Sequence, residues 1–66
     1  MKIRLNGEGW ETAGPATVTA LIKEIKKLPE AVVVEYNGKI LPRGEWLQTI
    51  LKENDVLEII SFVGGG

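Results

Sequence analysis

The stretch TVTALIKEIKKLPEAVVVEYN (residues 17–37) changes its period halfway along. In its first part Val18, Leu21, Ile22, Ile25 and Leu28 recur at the spacing of one helical face, while Lys23, Glu24, Lys26 and Lys27 fall on the opposite one. Thr17 stands where a hydroxyl can accept a hydrogen bond from a first-turn amide. Lys26 and Lys27 suit the negative end of the helix dipole, and Pro29 cannot continue the helix. After Pro29 the residues are β-branched or aromatic, with Val32, Val34 and Tyr36 on one face and Val33 and Glu35 on the other. The stretch therefore predicts an amphipathic helix reaching Leu28, then a strand over 31–37.

Reading outward, KIRLN (2–6) alternates with Ile3 and Leu5 on one face, NGEG (6–9) signals a hairpin turn, and WETA (10–13) reads as the returning strand. Downstream, NG (37–38) turns the chain and KIL (39–41) pairs briefly if at all. PRGEWLQTIL (42–51) is broken by Pro42 and Gly44, so it reads as irregular or shortly helical, with Trp46, Leu47 and Ile50 folded inward. KEND (52–55) is a turn, and VLEIISFV (56–63) is the last strand. In that strand Leu57 and Ile59 alternate with Val56, Glu58, Ile60 and Phe62. The expectation is an α+β domain: a mixed four-stranded sheet with one amphipathic helix packed across it, in β-grasp topology. It occupies residues 1–63, and a flexible glycine tail follows at 64–66.

With 44% hydrophobic and 26% charged residues, the chain has the composition of a globular domain and not of a disordered one. A net charge of −1 argues against nucleic acid or an anionic membrane surface as the main partner. There is no cysteine and no histidine, so disulfides, thiol nucleophiles and Ser-His catalysis are excluded, and a transition-metal site is not expected. The start alternates where a signal peptide would run apolar, and no stretch approaches a membrane span of about 20 residues. The expected compartment is the cytoplasm. Glu8, Glu11, Glu24, Glu30, Glu45, Glu53 and Asp55 fall at turns or on polar faces and read as solvated surface, not as an acid–base pair. Trp10 and Tyr36 read as packing residues. The chain is not expected to be an enzyme.

One reactive group remains, the α-carboxylate of Gly66. An enzyme can activate a carboxylate as an acyl-adenylate with ATP, after which a sulfur or nitrogen nucleophile attacks the acyl carbon. Gly64, Gly65 and Gly66 carry no side chains to clash in a narrow channel and adopt positive φ without strain. Such a tail suits entry into a partner's active site, yet from three glycines alone a frayed end is the favoured reading.

The segments VVVEYNGKILPRGEW (32–46) and LKENDVLEIISFVGGG (51–66) carry a family resemblance. A strand ends in NG; Pro42, Arg43 and Trp46 follow; Asn54 and Asp55 turn into the last strand; Gly65 and Gly66 close the chain. Together with the helix opening TVTALI (17–22), these features resemble the ThiS family, ubiquitin-like β-grasp sulfur carriers of thiamine biosynthesis. The resemblance spans the chain and is best from about residue 33 onward.

It implies that a ThiF-like, E1-type adenylating enzyme uses ATP and Mg²⁺ to activate Gly66, with no cofactor bound by the chain itself. A sulfur donor system then converts the adenylate to a thiocarboxylate, which gives its sulfur to a thiazole made by a ThiG-like thiazole synthase. Gly65 and Gly66 map onto the family's functional pair, and Gly64 is an extra glycine that does not specify the reaction. The alternation also leaves Ile60 and Phe62 facing away from the helix, beside Arg4, Glu35 and Glu58, as a partner-binding patch. Three alternatives stay open: a molybdopterin synthase small subunit, a ubiquitin-like protein modifier, and a non-catalytic β-grasp interaction module.

Overall fold

The computed structural model describes residues 1–62 of the 66-residue chain. Its order is β1 (Lys2–Leu5), β2 (Glu8–Glu11), α1 (Val18–Glu24), β3 (Val32–Tyr36), β4 (Lys39–Leu41) and β5 (Val56–Ser61), with single 3₁₀ turns at Pro29–Ala31 and Arg43–Glu45. The strands form one sheet in the order β2-β1-β5-β3-β4. β1 and β5 run parallel, and the other neighbours are antiparallel. This is the expected β-grasp arrangement with five strands where four were expected. The fifth is β4, which is long enough to pair Lys39, Ile40 and Leu41 with Tyr36, Glu35 and Val34.

Both tight hairpins follow from an Asn-Gly pair. Asn6 and Gly7 have φ of 51° and 84°, and Asn37 and Gly38 have 51° and 90°. Positive φ at both central residues gives a type I′ turn, whose twist matches that of the flanking strands. Leu5 then faces Glu8, and Tyr36 faces Lys39, across two-residue loops, so the first turn is tighter than the expected 6–9 and β2 runs over Glu8–Glu11 where a strand over 10–13 was expected.

The helix covers one face of the sheet. Val18, Leu21 and Ile22 pack with Ile3 and Leu5 of β1, Val32 and Val34 of β3, and Leu57 and Ile59 of β5. Thr17 caps the helix as expected, its hydroxyl accepting from the Ala20 amide at 3.1 Å. The helix ends earlier than its periodicity predicts. Lys26 turns to φ 61°, the Lys26 amide reaches the Lys23 carbonyl, and the Lys27 amide reaches the Ile22 carbonyl. That pair of bonds is a Schellman close. Leu28 consequently lies beyond the helix and is 63% exposed, not on its buried face.

Segment 42–51 closes the open end of the core. Trp46 is buried, and its indole N–H donates to the Leu41 carbonyl at 3.0 Å. The segment then runs against the start of the helix, with Val18 N–H bonded to Thr49 O and Leu51 N–H to Ala16 O. Leu51 is therefore the second core residue here, whereas Leu47 and Ile50, expected inside, are exposed. A non-periodic segment offers no parity from which to tell these apart.

Candidate functional site

The strand that leads toward residues 63–66 lies at the centre of the sheet, held by β1 on one side and β3 on the other. The two hairpin asparagines grip it as well. The Asn6 amide donates to Leu57 O at 2.9 Å, and its side-chain oxygen accepts from the Ile59 amide at 2.7 Å. Asn37 does the same on the other side, donating from its amide to Val56 O at 2.7 Å and accepting from the Val56 amide at 2.8 Å. Each asparagine thus serves twice, since it tolerates the left-handed turn and also extends the ladder with its side chain.

Asp55, just ahead of β5, is the anchor of this end. It is buried and accepts from the Tyr36 hydroxyl at 2.6 Å, the Lys52 amide at 2.8 Å and the Asn37 side-chain amide at 3.2 Å. Burial pushes its carboxyl up, but the bonds from Tyr36, Lys52 and Asn37 outweigh it and hold the group below the ordinary value. The Tyr36 hydroxyl is pushed up to about 12, by burial first and then by its bond to the Asp55 carboxylate. The expectation that Asp55 is solvated surface is thereby corrected. Its pairing with the start of a hairpin 18 and 19 residues away leaves no local sequence signal.

The sheet face opposite the helix carries the alternate residues. Ile60 and Phe62 lie there as expected, 48% and 52% exposed. Val33 stands directly across from Ile60, and Ile40 directly across from Glu35. Glu35 and Glu58 face each other on neighbouring strands. Arg4 shares the face but pairs in register with Val56 and turns its guanidinium to the Gly7 carbonyl at 2.9 Å. Val33 and Ile40 extend the apolar patch beyond the two residues named from sequence, because strand pairing adds neighbours that alternation within one strand does not show.

Among the described residues no three His, Cys, Asp or Glu side chains gather as metal ligands, and no helix is long and apolar enough to cross a membrane. An open groove of about 530 Å³ runs between the β1–β2 hairpin and the end of the helix, over Leu5, Trp10 and Ile25. Trp10 packs on the core there, and its indole N–H has no partner among the described residues. Gly64, Gly65 and Gly66, the residues expected to enter a partner, lie outside the described residues.

The sequence profile of the ThiS family matches residues 3–66. The chain belongs to the ThiS family. A crystal structure of a ThiS thiamine biosynthesis protein from Geobacter metallireducens is similar over the full length of both chains, with 35% identity and a TM-score of 0.85. The sulfur carrier protein ThiS of Bacillus subtilis is 32% identical, over 97% of this chain and 98% of that one. A thiazole synthase of Magnetococcus marinus is 38% identical over all of this chain, which spans 20% of that protein's length. As a ThiS family member the chain shares the carrier fold, and the β-grasp expectation holds at the level of a solved relative.

Proposed function

We propose that the chain is a sulfur carrier of thiamine biosynthesis, acted on by partner enzymes, whose working atom is the carboxyl carbon of Gly66. The observation that carries this is the ThiS family match continuing through Gly66 in a chain with neither cysteine nor histidine. A persulfide carrier needs a thiol, and this sequence offers none.

In the reaction proposed, a carboxylate oxygen of Gly66 attacks the α-phosphorus of ATP and pyrophosphate leaves. A ThiF-like adenylating enzyme supplies the ATP and Mg²⁺ site. A sulfur nucleophile then adds at the acyl carbon and AMP departs; where the donor is a partner's persulfide, the acyl disulfide so formed is cleaved by a second thiol of the partner, which joins the donor sulfur in a disulfide and releases the terminus as a thiocarboxylate. Gly64 and Gly65 lead that terminus into the enzyme, since an unsubstituted backbone fits a narrow channel. Ile60 and Phe62 on the free sheet face are the docking patch for the same enzyme. The likeness to a thiazole synthase over the whole of this chain supports a thiazole as the sulfur acceptor, against the molybdopterin alternative.

Intact mass measurement tests this. The chain is incubated with a ThiF-like enzyme of demonstrated activity, ATP, Mg²⁺ and a sulfur donor. The expected result is replacement of one oxygen by sulfur, confined to the C-terminal peptide, and its complete loss when Gly65 and Gly66 are deleted. An unchanged mass for a chain verified to end at Gly66 refutes the carrier chemistry.

A further inference from the structure

Strand pairing sets Glu35 and Glu58 directly opposite each other on the free face of the sheet, each half-buried. Directly opposed side chains in an antiparallel pair have Cβ atoms about 4.5–5.5 Å apart, and like charges there repel. Among the described residues, the two β1 cations on this face are directed elsewhere. Arg4 is occupied by the Gly7 carbonyl, and Lys2 lies over Gly9 toward the far edge.

Apolar side chains flank the carboxylates. Val33 and Ile60 form the next row along the two strands, Phe62 follows, and Ile40 stands on the outer side of Glu35. Ile40, Ile60 and Phe62 are each about half exposed or more. Covering such a face with an apolar partner alone would strand two carboxylates away from water, at a large desolvation cost. The complement must therefore bring a positive charge to a point set among apolar contacts. Two carboxylates are too few oxygen ligands for a calcium site, which takes six to eight, and their charge repels phosphates. A guanidinium fits, because its planar fork can bond both carboxylates, its faces tolerate apolar neighbours, and it is more weakly hydrated than an ammonium.

We propose that the Glu35–Glu58 pair, walled by Val33, Ile60, Phe62 and Ile40, receives an arginine side chain of the adenylating enzyme; this rests on the carrier function proposed above. The two carboxylates then act as a recognition element that the isolated chain tolerates as repulsion and the complex converts to attraction.

The test is titration calorimetry of the full chain into the ThiF-like enzyme at low and high salt, alongside thermal unfolding of each carrier alone. Glu35→Gln with Glu58→Gln is expected to unfold at the same temperature as the parent or higher, because repulsion is relieved. Its affinity for the enzyme is expected to fall tenfold or more, with most of the parent's salt dependence gone. Glu58→Lys is expected to bind more weakly still, and a partner Arg→Glu change that restores its affinity would identify the arginine. Undiminished affinity of the double Gln variant overturns the inference, as does a parent that self-associates through this face and becomes monomeric when the glutamates are changed. If the parent acquires the thiocarboxylate while the variants bind unchanged, the arginine docking fails and the carrier function stands. If the parent is never activated, both fail.

Discussion

At Asp55 three donors converge on one buried carboxylate, and one of them is a phenol whose own proton is held tightly by the bond. The consequence is a stability profile with two flanks. The Asp55 carboxyl is depressed in the folded state, so its contribution is complete above its ordinary value of 3.8 and disappears as pH falls through the lower folded value. The Tyr36 hydroxyl is raised from 10.0 to about 12, so its contribution is complete below 10.0 and disappears as pH rises toward about 12. Tyr36→Phe is expected to lower stability near neutrality by about 1.5 kcal/mol, the worth of a hydrogen bond to a charged group. It should also erase the part of the alkaline loss that belongs to this hydroxyl. Denaturant unfolding of parent and variant at acidic, neutral and strongly alkaline pH measures both effects; identical alkaline slopes would show that Tyr36 does not set that flank. None of this was legible from residue types. A carboxylate in a KEND turn is ordinarily solvated, and the partners that bury this one come from a different hairpin.

Elements were legible where local pattern and tertiary packing agree. Both Asn-Gly turns, the N-cap at Thr17 and the inward faces of β1, β3 and β5 follow from periodicity and turn chemistry alone. The helix end was not, because Ile25 still packs on the core after the helical hydrogen bonding has begun to close. Apolar spacing thus overruns the true boundary. The residue that makes the turn, Lys26, adopts a left-handed conformation at φ 61°. A side chain there costs about 1–2 kcal/mol, whereas glycine costs about 0.4–1 kcal/mol through the freedom it gives the unfolded chain. Lys26→Gly is accordingly expected to stabilise the protein by about 0.5–1 kcal/mol and raise the melting temperature by a few degrees. A lower melting temperature would mean that the lysine stem contributes more at the helix end than its conformation costs.

The whole molecule separates what folds it from what it leaves exposed. Trp46 closes the end of the core and has its N–H satisfied, while Phe62 stands on the free face. Truncating a buried Trp costs about 3–5 kcal/mol, and a domain of this size has roughly 3–10 kcal/mol in total. Trp46→Ala should therefore leave the chain largely unfolded at 37 °C, as read by near-ultraviolet circular dichroism. Phe62→Asp should shift unfolding by no more than about 0.5 kcal/mol while weakening capture by the adenylating enzyme. Equal destabilisation by the two changes would place Phe62 in the core. At this scale the sequence carried the layer arrangement and the direction of Ile60 and Phe62. It did not carry the fifth strand, the choice of Leu51 over Leu47 and Ile50, or the confrontation of Glu35 with Glu58. Each of those depends on which strands lie side by side.

Because β5 lies between a parallel and an antiparallel neighbour and is clasped by Asn6 and Asn37, the body resists being drawn out by its end. A pull directed along β5 from its Ser61 end loads both ladders lengthwise, so their bonds share the force instead of parting one after another. The antiparallel pairing to β3 runs to Val32 and Ser61, and one further bond, from the Phe62 amide to the Ala31 carbonyl, ties the last described residue to the turn ahead of β3. Mechanically, the domain is a collar on its own final segment, and a machine that draws on that segment meets a stop instead of a thread that unravels.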